Sequence, residues 1–369
     1  MNTNAIIAIA AVVILAGAGA GVYIALKDGN DAGAKEIEPR DVTIKDSLGN
    51  EITVTAPITK ICTVNTSAAE FFKILGVEKR IVGMDTSGKA TFGDLYKDAT
   101  DIGNYKTPSG EKIAETGCKY VISQSSSRSL SADTEQALKD NYGIIVLRMD
   151  FYGETMMQDV EELLKILIDD DANDAFQEYR GLYDSVVSTT LEKSKNVAGD
   201  PSFLFMFTSM SSTKGTYYND SSELAKIVKS IHGHNALVDM NITSKAGSVS
   251  ATPSAEKIYD YDQESLNRLG YVFLRGTATT TAEQDFQTFF DSGGDLNFQT
   301  ELNVVKNGHL YVINTDLLSG PRDYIGRICI CEAYGISTGL DIAKLTSDFN
   351  EKYGFTVEYG YLMKQYTAA

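Results

Sequence analysis

The stretch that decides the fold runs from Asp171 to Lys193 and reads DANDAFQEYRGLYDSVVSTTLEK. Its apolar residues recur at spacings of three and four, so one helical face carries Ala175, Phe176, Tyr179, Leu182, Tyr183, Val186, Val187 and Leu191. N-caps are available at Asp171, Asn173 and Asp174. A helix of about 20 residues is about 30 Å long. It can therefore join two lobes at a nearly fixed distance, although an ordinary surface helix within one domain has the same pattern.

Strand and helix patterns alternate before this helix. A short hairpin is predicted from Val42–Ile44 and Glu51–Thr55. Four further strands are predicted at Lys60–Val64, Arg80–Met84, Lys119–Ser123 and Gly143–Arg148. Helices are predicted at Ser67–Leu75 with Ser67 as its cap, at 110–118 and at Met156–Ile168. Strands joined by helices with short connections indicate a parallel α/β lobe.

The same alternation resumes after the helix. Strands are predicted at Phe203–Phe207, Tyr271–Leu274 and His309–Ile313, and helices at Glu223–Ile231, Gln263–Leu269 and from Asp323 to Tyr334. The segment GEKIAETGCKYVISQS from Gly110 is similar in layout to DQESLNRLGYVFLRGT from Asp262. We therefore expect two related, Rossmann-like α/β lobes, 41–170 and 195–369, joined by a single helix at 171–194. Open α/β sheets bind ligands at the carboxyl ends of their strands, so a ligand cleft is expected between the lobes.

The first 26 residues differ from the rest of the chain. Ala5–Leu26 contains no charged residue and is long enough to cross a bilayer. A cleaved signal peptide is the alternative, but no Lys or Arg precedes the run, and the run is longer than a usual signal core. We expect residues 1–26 to form a retained transmembrane anchor and residues 27–40 a flexible tether. The soluble part would then face outside the cell membrane.

The composition excludes several classes of function. A formal charge of −17 would repel nucleic acid and is typical of a soluble monomeric domain. The sequence contains no G-x-S-x-G, Walker loop or G-x-G-x-x-G after a strand, so an enzyme is the weaker hypothesis.

Histidine and cysteine offer no clear metal site. His232 and His234 flank Gly233 and fit the end of a helix better than a metal site, because further ligands at suitable spacing are missing. The four cysteines show no C-x-x-C spacing and are expected to be small core residues.

Several segments together resemble the substrate-binding proteins of iron-complex and cobalamin ABC importers, whose lobes are joined by one rigid helix. The resemblance is carried by DVTIKDSLGNEITVTAPITKI from Asp41, by AEFFKILGV at Ala69–Val77, by RIVGMD at Arg80–Asp85, by Ile102-Gly103 with Glu111, by HLYVI at His309–Ile313 and by Gly320-Pro321-Arg322. It spans residues 41 to about 340. The family's Pro-Asp before each middle strand is replaced by Cys118-Lys119 and Gly270-Tyr271.

The resemblance implies a receptor that captures a metal chelate, such as a ferric siderophore, haem or a cobalamin-like compound, and delivers it to an ABC permease and its ATPase. The iron or cobalt chelate would be cargo, and no cofactor is expected. Two alternatives remain open: a bilobal chelatase-like enzyme, and a receptor for a bare divalent metal ion. An arginine- and tyrosine-lined cleft would favour the chelate, whereas His309 with acids would favour the ion.

Candidate ligand residues lie at or near predicted strand ends. Planar guanidinium groups suit carboxylate or catecholate oxygens, which points to Arg128, Arg148, Arg275 and Arg322. Tyrosine rings could stack on a macrocycle, which points to Tyr105, Tyr217 and Tyr218. Hydroxyl groups near the opening of the expected ligand cleft belong to Thr66, Ser67 and Ser125. By resemblance, Glu111 and Glu264 are the paired glutamates that dock onto permease arginines.

Overall fold

The computed structural model describes residues 37–126, 129–195, 199–207, 215–245, 248–264, 269–276, 280–292, 298–355 and 361–367. The predicted anchor and most of the tether therefore lie outside the described residues. Within the described ranges, no helix combines the length and the apolar character needed to cross a membrane.

The first half of the chain forms a hairpin and a parallel sheet. The strands are β1 Arg40–Lys45, β2 Glu51–Ala56, β3 Ile61–Thr63, β4 Ile81–Met84, β5 Thr100–Asp101, β6 Gly103–Asn104, β7 Thr107–Pro108, β8 Tyr120–Ser123 and β9 Ile145–Arg148. The helices are α1 Thr66–Ile74, α2 Thr86–Phe92, α3 Gly110–Glu115, α4 Ala132–Tyr142 and α5 Met156–Leu167.

The sheet of this half has the strand order β5-β4-β3-β8-β9, and every neighbouring pair is parallel. Its central strands are buried along their whole length. A parallel sheet covered by helices on both faces requires such apolar runs, which is why these strands were recognisable in the sequence. The carboxyl ends of β8 and β9 meet at one edge, where the loops at 124–126 and 149–152 begin.

The long helix, α6, spans Asp170–Ser194. Its N-cap is Asp169, whose carboxylate accepts the Ala172 amide at 3.1 Å. The buried face carries Ala172, Phe176, Tyr179, Tyr183 and Val186, whereas Leu191 is exposed.

The second half forms a mixed sheet. Its strands are β10 Ser202–Phe207, β11 Thr216–Tyr218, β12 His234–Asn235, β13 Ser250–Ala251, β14 Tyr271–Gly276, β15 Leu310–Asn314 and β16 Met363–Gln365. Its helices are α7 Glu223–Ser230, α8 Ala236–Asp239, α9 Ala255–Gln263, α10 Ala282–Asp291, α11 Asn303–Lys306, α12 Asp323–Ala333 and α13 Ile342–Tyr353. The strands stand in the order β13-β11-β10-β14-β15-β16, and β12 also pairs with β10. Only the central run β10-β14-β15 and the β10–β12 pair are parallel. This lobe is therefore less regular than the Rossmann-like pattern predicted from the sequence.

The C-terminal helices return to the first lobe. The hydrophobic core around α1, α5 and α6 also takes in Ile325 and Ile328 of α12 and Phe349 and Tyr353 of α13. The two lobes are thus joined by α6 and also by apolar packing against it.

One local prediction is wrong, and another lies mostly outside the described residues. A helix was predicted over Gln263–Leu269; α9 ends at Gln263, Ser254 caps its start by accepting the Lys257 amide at 3.3 Å, and residues 265–268 lie outside the described residues. The cap of α1 is Asn65, not Ser67, since the Asn65 side chain accepts the Ser67 amide at 2.9 Å.

Candidate functional site

A cavity of about 550 Å³ opens between the lobes, at the carboxyl ends of both sheets. Its lining comes from the ends of strands β11 and β14, from neighbouring loops and from the start of α7. The lining residues are Gln124, Ser125, Ser126, Asp150, Tyr152, Tyr218, Ser221, Ser222, Glu223, Leu224, Val249, Arg275, Asp316, Leu318 and Ser319. Cavities of this size hold drug-sized organic ligands and are far larger than a bare ion requires.

The first-lobe wall is built by two neighbouring loops. Ser125 follows β8, and its amide and hydroxyl donate to the two carboxylate oxygens of Asp150, each at 2.7 Å. Tyr152 lies two residues farther along the loop after β9. Burial and the nearby Asp150 charge raise the pKa of Tyr152, so its phenol stays protonated.

The second-lobe wall centres on Arg275 and Tyr218. The Arg275 guanidinium lies 4.7 Å from the centre of the Phe207 ring, and Tyr218 packs edge-on against the same ring at 5.7 Å. Burial raises the pKa of Tyr218, and a hydrogen bond from Arg275 partly opposes that shift. Both cleft tyrosines are therefore neutral phenols, suited to hydrogen bonding and ring contact with an organic ligand.

Of the predicted ligand residues, the structure brings Ser125, Tyr218 and Arg275 together at this cavity. Arg128 lies outside the described residues. Tyr105 is in the turn between β6 and β7, exposed and beside Lys106. Tyr217 is buried in the second lobe's core, because successive residues of a strand face opposite sides of the sheet.

Arg148 is not among the cavity-lining residues, but it contacts the loop that carries Ser125. It donates to Glu135 Oε2 at 2.8 Å and to the carbonyl oxygens of Leu130 and Gln124 at 3.0 and 3.3 Å.

Arg322 lies between the lobes rather than in the cavity. It is only 5% exposed and forms an ion pair with Glu70 of α1, which is only 6% exposed. The adjacent Gly320, with φ of 68°, packs against Ser67, where an added Cβ would clash with the hydroxyl oxygen. Ser67 is therefore part of the interlobe contact, and the preceding Thr66 is exposed outside the cavity lining.

The two predicted docking glutamates occupy different positions. Glu111 lies exposed in the first turn of α3, whereas Glu264 follows the last turn of α9. The residue equivalent to Glu111 is Glu256, in the first turn of α9. The repeat Ser-x-Glu-Lys-Ile, at Ser109–Ile113 and Ser254–Ile258, is the sequence signal that could have identified it.

The histidines have structural partners. His234 contacts Asp239 at 2.8 Å, and His309 contacts the Gly270 carbonyl at 3.0 Å and stacks on Tyr271. Helix α7 ends at Ser230 with Ile231 as its C-cap, and His232, with φ of 62°, follows in the left-handed conformation, whereas the cap was predicted at Gly233. In the part of the chain that the structure describes, no three His, Cys, Asp or Glu residues are placed to hold a metal ion. All four cysteines are buried free thiols.

Sequence reasoning missed Asp150, Tyr152, Glu223, Asp316 and Leu318 in the cavity lining. Asp150 and Asp316 come two residues after the ends of β9 and β15. The rule that ligands bind beyond the carboxyl ends of parallel strands could have identified both of them.

Several solved structures share this architecture. The chain superimposes on the TroA-like periplasmic binding protein FepB of Veillonella parvula with a TM-score of 0.64, 16% identity and coverage of 88% of this chain and 100% of that one. For CeuE of Helicobacter pylori with Ni(II) bound, the TM-score is 0.60 at 19% identity, covering 84% and 95% of the two chains. The vitamin B12 binding protein BtuF of Vibrio cholerae gives 0.56 at 13% identity, covering 76% and 97%.

No protein-family model matches the sequence, and no curated protein is significantly similar to it. The structural similarity extends over nearly the full length of each neighbour and includes both lobes. The chain therefore has the two-lobed fold of the TroA-like periplasmic binding proteins, as the sequence resemblance implied.

Proposed function

We propose that the protein is an extracytoplasmic substrate-binding protein that captures a metal chelate between its lobes and delivers it to an ABC importer. The single observation that carries this proposal is the 550 Å³ cavity at the carboxyl ends of both sheets, lined by hydroxyl, carboxylate, phenol and guanidinium groups. The structural neighbour named as a vitamin B12 binding protein supports this class of ligand, whereas the neighbour with Ni(II) bound is compatible with the bare-ion alternative.

The cavity favours a chelate over a bare ion. Its described lining includes carboxylates but no histidine, and its two tyrosines are held as neutral phenols by burial. A bare divalent ion would need three or four converging ligands. A chelate brings its own donor atoms and needs only a shaped, hydrogen-bonding pocket, which is what these side chains provide.

Arg275, Tyr218 and Ser125 are the proposed ligand contacts, together with the sequence-based candidate Arg128. Arg275→Ala is expected to weaken chelate binding about tenfold or more, the effect of losing a hydrogen bond to a charged partner. Calorimetric titration with haemin, cyanocobalamin, a ferric trishydroxamate and a ferric triscatecholate would measure this. Tyr105→Ala, a tyrosine change outside the cavity, is the matched control and should bind as the unaltered protein does. Equal losses in the two variants, or binding of none of the four chelates, would contradict the proposal.

We also propose that residues 5–26 hold the protein in the membrane, with the soluble part outside. The full chain is then expected in the membrane fraction, whereas a chain beginning at Glu36 should be soluble and elute as a monomer. Fractionation and size-exclusion chromatography measure both results. The anchor would be refuted if the shortened chain were recovered only with membranes. It would also be refuted if cells expressing the full chain released a shorter, cleaved product into the medium.

A further inference from the structure

The turn that follows β9, Asp150–Gly153, has an unusual backbone. Phe151 and Gly153 have φ values of 55° and 65°. Glycine adopts this left-handed conformation without steric cost, whereas a bulky residue such as phenylalanine rarely does. Conformations of this kind persist only where the surrounding structure holds them in place, and they concentrate at ligand sites. The buried ring of Phe151, 5.9 Å from that of Phe71, supplies part of that support.

The Asp150 amide also donates to Ser47 Oγ at 2.8 Å, and the Asn65 side-chain amide donates to the Asp150 carbonyl oxygen at 2.9 Å. The residue that contacts both of the first two amides of the turn is Asp159, which is fully buried in the first turn of α5. Its Oδ2 accepts the backbone amides of Asp150 and Phe151, at 3.0 and 2.9 Å. The same oxygen accepts the Thr155 hydroxyl at 3.0 Å, and Oδ1 accepts the Ser47 hydroxyl at 2.8 Å. Burial raises the pKa of Asp159 to about 6, so at neutral pH the carboxylate is ionised and can accept all of these donors.

The turn held in this way forms one wall of the cavity. Its first residue, Asp150, accepts both the amide and the hydroxyl of Ser125 and so joins the loops after β8 and β9. Tyr152, in the same turn, hydrogen-bonds to Asp150. The orientation of these three lining residues therefore depends on the backbone that Asp159 fixes.

The turn also faces the opposite lobe across the cavity mouth. Gly153 lies against the Glu223 carboxylate of α7, so closely that an added Cβ would clash with it. Glu154 lies 3.8 Å from Lys226, which also pairs with Glu223 at 2.8 Å. A shift of the turn would therefore alter the ligand wall and the interlobe contact together.

We propose that Asp159 is the positioning residue of the ligand cleft: it holds the left-handed turn Asp150–Gly153 so that Ser125, Asp150 and Tyr152 form the first-lobe wall. This inference rests on the proposed function, because the wall matters only if the cavity binds a ligand. Asp159 itself does not reach the cavity and acts through the two amides that it accepts.

The test compares substitutions on α5. Asp159→Leu removes the acceptor, whereas Asp159→Asn keeps an oxygen for the two amides and can donate to Ser47. Glu162→Leu is the matched control. Glu162 is a buried carboxylate one turn farther along α5, which accepts the Lys45 amide at 3.1 Å and Lys165 at 2.7 Å but does not contact the turn.

Two readouts are required. The first is residue-resolved amide hydrogen exchange at Asp150 and Phe151, and the second is titration with haemin, cyanocobalamin and the ferric complex of desferrioxamine B. Asp159→Leu is expected to speed exchange of both amides and to weaken any chelate that the unaltered protein binds, each about tenfold or more. Asp159→Asn should retain both properties. Glu162→Leu should lower the melting temperature without changing either.

The proposal is overturned if the two amides stay protected in Asp159→Leu, or if Glu162→Leu loses as much affinity. If Asp159→Leu does not fold, Asp159→Ala removes the same acceptor with a smaller side chain, and its exchange rate at Phe151, whose amide donates to Asp159, decides the question in the same way. If the unaltered protein binds none of these three chelates and no ferric triscatecholate, the proposed function fails. Amide exchange still decides whether Asp159 holds the turn.

Discussion

Replacing Glu111 and Glu256 together by glutamine is expected to reduce chelate uptake about tenfold or more, because charges at the rim of an interface act chiefly on association with the partner. Each glutamate is exposed in the first turn of a helix that opens with the pattern Ser-x-Glu-Lys-Ile, one helix in each lobe. The serines before them cap their helices with the same geometry, both at 3.3 Å. Such a pair suits a permease with two-fold symmetry.

The control for this prediction is the double exchange of Glu111 and Glu264. Glu264 follows the end of α9 instead of opening it, so this variant should lose less transport. Uptake by cells, with chelate affinity and melting temperature measured on the purified variants, separates docking from capping. A carboxylate at a helix N-terminus contributes only about 0.3–1 kcal/mol of stability. If the Glu111 and Glu256 exchange lowers the melting temperature and leaves uptake intact, the two residues are caps and the docking surface lies elsewhere.

Arg322→Ala is expected to lower the free energy of unfolding by about 3–5 kcal/mol, the cost of leaving one partner of a buried ion pair without the other. Its partner Glu70 is buried on α1, across the lobe interface. Burial raises the pKa of Glu70, and the Arg322 charge counteracts that shift. Removing the arginine should therefore raise the pKa of Glu70 further.

The sign of the pH dependence follows from this shift. A buried Glu70 with a raised pKa is neutral at acid pH, where its burial costs little. As the pH rises, Glu70 ionises freely in the unfolded chain, whereas the folded chain must either bury the charge or keep the proton. The folded state therefore loses stability relative to the unfolded state as the pH rises. The destabilisation of Arg322→Ala should therefore be larger at pH 8 than at pH 5 in urea denaturation.

Two controls accompany the measurement. Arg180→Ala breaks an exposed pair with Glu161 and should cost less than about 1 kcal/mol. The double change Glu70→Gln with Arg322→Met removes both charges and should cost less than Arg322→Ala alone. If Arg322→Ala is as stable as the unaltered protein but loses chelate affinity, Arg322 is a ligand-binding residue and not a structural one.

The sequence predicted the elements whose pattern is local. The long helix, four of the five parallel strands of the first lobe and the helices α1, α3, α5, α7 and α12 were placed within a few residues, because period and burial follow directly from the apolar spacing. Strand β5 and the helices α2, α4, α8, α9, α10, α11 and α13 were not predicted. The start of α9 was missed because two nearby segments, Ser254-Ala255-Glu256 and Asp262-Gln263-Glu264, both have the pattern of a helix start. The sequence analysis chose the second segment, whereas the helix begins at the first.

The directions of the arginine side chains could not be predicted in the same way. A position near a strand end does not determine where a long, flexible side chain points. Arg148 turns towards Glu135 on α4. Arg322 pairs with Glu70, a partner 252 residues away in the chain, which no local pattern reveals. Of Arg148, Arg275 and Arg322, only Arg275 belongs to the cavity lining.

Binding of one chelate between the lobes can be observed by amide hydrogen exchange measured with and without the chelate. For the chelate that binds among haemin, cyanocobalamin and the two ferric siderophore complexes, protection should appear in both walls at once, in segments 124–126 and 149–152 of the first lobe and 216–224 and 316–319 of the second. The rim helices α3 and α9 should change little. Protection confined to one lobe, or lying outside these segments, would show that the chelate is not held between the lobes.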